Sequence, residues 1–168
     1  LNILGGPCSG KSTSAAGLYY KMKMAHMKCE LVGEYAKDLV YSDRTQMLTD
    51  NQEMIFAEQH YRLHILKDKV DWAITDTSLL LGLVYPPAWY PQSFKPFVLD
   101  MYHAYENVNV YISRPEHFQQ YGRNHNEDES KELDNSVINM LDLYNIEYTV
   151  FAATDNTADE LFEFIQKQ

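Results

Sequence analysis

The sequence predicts an α/β domain built on a parallel sheet, and two observations carry that prediction. Apolar runs of strand length alternate along the chain with longer helical patterns, the order that strand–helix–strand crossovers require. The first of those runs, residues 1–4, leads directly into Gly5-Gly6-Pro7-Cys8-Ser9-Gly10-Lys11-Ser12, an intact G-x-x-x-x-G-K-[ST] phosphate-binding loop that opens a helix. A length of 168 residues suits one domain, 1–168, better than two.

Residues 1–4 form the first strand and residues 11–25 the helix after the loop. Residues 29–33 read as a second strand, with Glu34 at its carboxyl end. Between about residues 50 and 70, Met54, Ala57, Tyr61 and Ile65 recur at spacings of three and four, the period of one buried helical face. Residues 72–75 make a third strand that delivers Asp76. Residues 108–113 are the clearest strand by β-branched and aromatic content, stopping at Arg114-Pro115, where the proline opens a helix. Residues 148–152 are the fifth strand, and Thr157 with Glu160 three residues on predicts a capping box for the last helix. Two stretches are irregular: 85–96, with four prolines, and 122–130, which holds no apolar residue. Loops without a burial role carry function disproportionately, and residues 114–132 are the expected lid.

Composition narrows the function classes. Hydrophobic residues are 45% and charged residues 23%, the balance of a globular chain. The formal net charge is −10, and residues 126–168 alone carry 2 basic and 11 acidic side chains. Such a surface repels phosphate backbones over about 8 Å at physiological salt, which argues against broad nucleic-acid binding; a local basic site can still hold a few phosphates. Mean hydropathy is −0.42 and no run approaches a membrane span, so a soluble, cytoplasmic protein is expected. Cys8 and Cys29 are too few for a disulfide scaffold or a zinc cluster.

The loop defines the chemistry. Gly5 and Gly10 permit backbone angles closed to other residues, so that successive N–H groups turn toward a polyphosphate, and the helix presents its positive amino end to the same anion. Lys11 is expected to reach the β and γ phosphates, Ser12 to ligate Mg²⁺ and Thr13 to touch the α phosphate, while Gly6, Pro7, Cys8 and Ser9 line the bend. ATP and Mg²⁺ are the expected cofactors. Glu34 and Asp76 both follow parallel strands, where ligands of open α/β sheets sit. Asp76 suits a metal and Glu34 the proton of an attacking hydroxyl; the competing reading for each is a helix cap. Arg114 and Arg123 flank the polar stretch, placed to stabilise charge on a moving phosphoryl group or, alternatively, to be solvated surface charge. His125 has no second ligand at metal spacing. Gln59 and Arg62 share a helix face that either meets substrate or is simply exposed. The aromatic stretch 85–97 lines an acceptor pocket or covers a homodimer contact. The acidic stretches 127–134 and 155–163 read as solvated faces.

Residues 5–13, Glu34-Tyr35-Ala36-Lys37, Asp76-Thr77-Ser78 and Tyr144-Asn145-Ile146-Glu147-Tyr148 occur in this order. In that order the chain resembles, over nearly its whole length, the ribosylnicotinamide kinase domain of bacterial NadR proteins and the small AAA-type ATPases grouped with it. Tyr121-Gly122-Arg123-Asn124 through Glu129-Ser130-Lys131-Glu132 looks more like the lid of related bacteriophage P-loop proteins. The resemblance implies a P-loop NTPase of the nucleoside/nucleotide kinase type, with a five-stranded parallel sheet ordered 2-3-1-4-5, helices on both faces and a short lid. It also implies that Glu34 is the base or acceptor anchor, Asp76 the acid after the third strand, and 153–156 a loop near adenine. The activity implied is ATP-dependent transfer of the γ-phosphoryl group to a hydroxyl of a nucleoside, nucleotide or related small acceptor. A subset of the phage relatives instead phosphorylates hydroxymethylated pyrimidines in DNA, which would make DNA the partner. A P-loop ATPase or switch with no acceptor is the third expectation, against which the length argues, since it leaves no room for an AAA-type helical subdomain.

Overall fold

Every residue of the first strand, β1 (Asn2–Leu4), is buried, the pattern of a strand covered on both faces. In the computed structural model, which describes residues 1–114 and 127–168, β1 is the central strand of a five-stranded parallel sheet. With β2 (Cys29–Val32), β3 (Trp72–Thr75), β4 (Asn109–Ser113) and β5 (Thr149–Ala152) the order is β2-β3-β1-β4-β5, as the resemblance implied. The helices are α1 (Lys11–Met24), α2 (Tyr35–Tyr41), α3 (Met47–Asp50), α4 (Gln52–His64), α5 (Phe94–His103), α6 (Glu127–Leu143) and α7 (Thr157–Ile165). A 3₁₀ turn covers Leu79–Leu83. None of the described helices is long and apolar enough to cross a membrane.

Strand side chains alternate faces, and the two cores follow from that. Ile3, Val110 and Ile112 join Leu18 of α1 and Leu161 of α7 in one cluster. Their neighbours Leu4 and Tyr111 point the other way, into a cluster with Leu80, Val98 and Leu141. The strand ends converge on one edge, which is where the phosphate-binding loop, Glu34 and Asp76 emerge.

Four expectations need correction. The buried face of α4 is Gln52, Phe56 and Gln59; Ala57 is exposed, and Tyr61 and Ile65 are 59% and 42% exposed. The helical period was right and its phase was wrong, because two glutamines take core positions that hydropathy assigns to apolar residues. Both are satisfied there: Gln52 Nε2 donates to the Leu48 carbonyl, and Gln59 accepts from Tyr35 N and donates to Thr75 Oγ1. The helix also stops at His64. Second, Thr157 caps nothing in the expected way. Its hydroxyl donates to the Ala152 and Thr154 carbonyls and accepts from Thr154 N, tying α7 to the end of β5, while Asn156 holds the cap position. Third, both irregular stretches are shorter than expected: α5 begins at Phe94 with Pro96 in its first turn, and 127–130 already belong to α6. Residues 115–126 of the expected lid lie outside the described residues. Fourth, the acidic stretch 127–134 is not wholly solvated, since Ser130 is buried and Asp134 is largely enclosed.

The corrected face of α4 has a direct test in urea unfolding. Phe56→Ala is expected to cost about 3 kcal/mol through a cavity, whereas Tyr61→Ala changes stability by less than about 0.5 kcal/mol. Equal effects would restore the face that hydropathy assigns.

Candidate active site

The loop folds as its glycines require. Gly5 and Gly10 have φ of 139° and 95°, and Cys8 at 62° joins them in the left-handed region. Gly10 stands at the start of α1, whose first turn carries no acidic residue to oppose the positive end of the helix. Lys11 Nζ donates to the Gly6 carbonyl at 2.6 Å, which holds the ammonium over the bend of the loop. Thr13 is exposed on the first turn, and Ser9 is fully buried. The loop after β5 lies alongside: a Cβ on Gly10 would stand 3.3 Å from Ala153 Cβ.

Ser12 and Asp76 come together. Ser12 Oγ donates to Asp76 Oδ2 at 2.5 Å across 64 positions of sequence. Asp76 is 7% exposed, and its Oδ1 has no hydrogen-bond partner among the described residues. The Thr77 hydroxyl one residue on is in the same condition. A buried carboxylate oxygen left unpaired is costly, and a hydroxyl and a carboxylate at the mouth of a phosphate loop are the donor set for a hard divalent cation that also takes phosphate and water oxygens. Among the described residues there is no cluster of three His, Cys, Asp or Glu that would make an all-protein metal cage. Nor does Asp76 cap a helix: the cap of the following 3₁₀ turn is Ser78, which accepts from Leu80 N.

Glu34 occupies the cap position of α2 without making a side-chain cap hydrogen bond. It lines a cavity of about 330 Å³ whose wall also includes Pro7, Lys11, Thr77 and Ser78 together with the apolar Leu48, Phe56, Leu81 and Tyr85. That volume is in the range of small-molecule sites. Gln59 also lines the cavity, its amide bonded to Tyr35 N and Thr75 Oγ1, as does Gln52 two turns earlier. Arg62 is not brought to this cavity. Its guanidinium pairs with Asp38 at 2.8 Å and Glu58 at 3.2 Å and donates to the Gly33 carbonyl, over the Tyr35 ring. Of the aromatic stretch, Tyr85 and Pro87 line the cavity, while Trp89 is 67% exposed.

Arg114 is anchored to the base of the loop and is not among the residues lining the cavity. Nη1 donates to the Pro7 carbonyl at 2.7 Å, Nε and Nη2 both meet Asp134 Oδ2 at 2.8 Å, and Nη2 also donates to the Ser130 carbonyl. Asp134 Oδ1 accepts from Gly6 N at 2.6 Å. Asp134 is the residue that sequence reasoning missed, because an acid in a run of acids reads as solvated and its partners lie 20 and 128 positions away. Burial pushes the Tyr111 phenol up, and the Asp134 carboxylate that it hydrogen-bonds pushes it further the same way. Arg123 and His125 lie outside the described residues.

A phosphate loop after the central strand, the order β2-β3-β1-β4-β5 and an acid after the third strand define a P-loop NTPase fold of the nucleoside kinase kind. The chain belongs to the AAA_28 family, described as an AAA domain, which matches residues 1–157. Among solved structures it is similar to a deoxyadenosine kinase from M. mycoides with the products dCMP and a flexible dCDP bound. The TM-score is 0.59 at 13% identity, over 99% of this chain and 98% of that one, a likeness of fold. No curated protein matches the sequence.

Proposed function

We propose that this protein is an ATP-dependent phosphotransferase that moves the γ-phosphoryl group to a hydroxyl of a nucleoside, nucleotide or related small acceptor. The observation that carries the reading is a cavity lined in common by Pro7 and Lys11 of the phosphate loop, by Glu34 and by apolar side chains. A kinase needs an acceptor cavity next to its phosphate loop, which a nucleotide hydrolase does not require.

In this reading the loop amides and the amino end of α1 hold the polyphosphate, and Lys11 neutralises charge on the β and γ phosphates. Ser12 and Asp76 would hold Mg²⁺, which when bound supplies charge neutralisation to the phosphates. The acceptor hydroxyl oxygen attacks the γ phosphorus, the bond from that phosphorus to the bridging oxygen breaks, ADP leaves with the electron pair, and the hydroxyl proton passes to the Glu34 carboxylate. The apolar lining of the cavity, with Gln52 and Gln59, suits a flat, partly polar acceptor such as a nucleoside base, the class of substrate that the M. mycoides structure is named for. The resemblance to ribosylnicotinamide kinases supports the same class.

The test is an acceptor screen with γ-labelled ATP and Mg²⁺ over deoxynucleosides, ribosylnicotinamide, nucleoside monophosphates and DNA containing hydroxymethyluracil. Label is expected in a small nucleoside-type product. Label recovered solely as free phosphate with every acceptor assigns hydrolysis instead, and label in the polymer alone assigns DNA.

A further inference from the structure

Resting on the phosphate-loop reading above, we propose that Arg114 and Asp134 are positioning residues, a pair that fixes the first half of the loop, in which Arg114 cancels the Asp134 charge so that nucleotide affinity falls when Arg114 alone is lost and recovers when the Asp134 charge is removed with it. The pair grips two successive loop residues with opposite signs. Asp134 Oδ1 accepts from the Gly6 amide at 2.6 Å, and Arg114 Nη1 donates to the Pro7 carbonyl at 2.7 Å. The two side chains close on each other through Asp134 Oδ2, with both guanidinium contacts at 2.8 Å. Charge-assisted bonds of this length on the peptides that precede Gly6 and follow Pro7 hold those two planes against rotation. At 11% and 14% exposure neither charge is well solvated, so the Asp134 carboxylate depends on the guanidinium beside it.

Gly6 allows this approach. A Cβ there would stand 2.4 Å from Asp134 Oδ1 and 2.8 Å from the Ser130 carbonyl, so any side chain would push α6 off the loop. The consequence for affinity follows from sign. With Arg114 present, the Asp134 carboxylate is cancelled. Without Arg114, the same carboxylate is an uncompensated negative charge in contact with the loop that receives a polyphosphate, and it weakens binding through space. Removing that charge as well takes the repulsion away. An arginine that instead met the transferring phosphoryl group would act whether or not Asp134 were charged.

The experiment is calorimetric binding of the magnesium complex of a non-hydrolysable ATP analogue to the full chain and to Arg114→Ala, Asp134→Asn and the double variant. Thermal unfolding confirms that each is folded at the assay temperature. Arg114→Ala is expected to weaken binding by about tenfold, and adding Asp134→Asn to recover most of the loss. Should Arg114→Ala fail to fold, Arg114→Gln keeps a hydrogen-bond donor without the charge, and its loss is expected to be relieved in the same way. Unchanged affinity in the arginine variant, or a loss that Asp134→Asn does not relieve, overturns the proposal alone. A native chain that binds no nucleotide overturns the phosphate-loop reading and the proposal with it.

Discussion

Lys11→Ala is expected to lower phosphoryl transfer by at least about a thousandfold while leaving the fold intact. The lysine begins α1 with its ammonium 2.6 Å from the Gly6 carbonyl, so its charge sits over the bend where the phosphates of a bound triphosphate would lie. Charge spreads over the equatorial oxygens of the moving group in the transition state, and a fixed cation in a site with little water stabilises it more than any mobile counter-ion does. The fold has no comparable stake in this side chain. Lys11 is half-buried at the first helical position, and alanine is the better helix former, so unfolding free energy should change by less than about 0.5 kcal/mol. Steady-state transfer to the acceptor found in the screen, read beside urea unfolding, checks both halves. Near-normal turnover would remove the reaction assigned to the loop.

Asp76→Asn is expected to lower transfer by about a hundredfold or more, with part of the loss regained as Mg²⁺ is raised. Asparagine keeps the shape and an oxygen for Ser12 Oγ, so what disappears is the negative charge that would hold the metal. The same substitution should be neutral or stabilising by about 1 kcal/mol, because the native carboxylate is 7% exposed with one oxygen lacking a partner. Opposite signs for activity and stability distinguish a functional acid from a structural one. Measurements at several Mg²⁺ concentrations, alongside urea unfolding, decide it. Full activity at low Mg²⁺ would take the metal away from Asp76.

Much of the scaffold was legible from local pattern. β3 was placed at 72–75, and β4 within one residue of its observed start, because β-branched and aromatic runs bounded by polar residues signal buried strands. The loop was legible for a different reason: its glycines and lysine are set by the backbone path around an anion. Glu34 and Asp76 were found by their position after strands, a rule of topology that needs no partner to be known. Apolarity alone assigns the wrong face of α4, because Gln52 and Gln59 are buried through hydrogen bonds. The pairing that hides Asp134 was equally invisible, since its composition and neighbours are those of an exposed acidic helix.

By itself, then, the sequence determined the loop, the alternation of strands with helices and the two acids at the sheet edge, all of which follow from residue types at fixed local spacing. The tertiary structure alone decided that Asp76 meets Ser12, that Gln59 faces the cavity while Arg62 turns to Asp38, and that Arg114 and Asp134 close on the loop. The physical reason is that a polar group's burial depends on the partner that satisfies it. Such a partner can lie 64 or 128 positions away, where no local period records it.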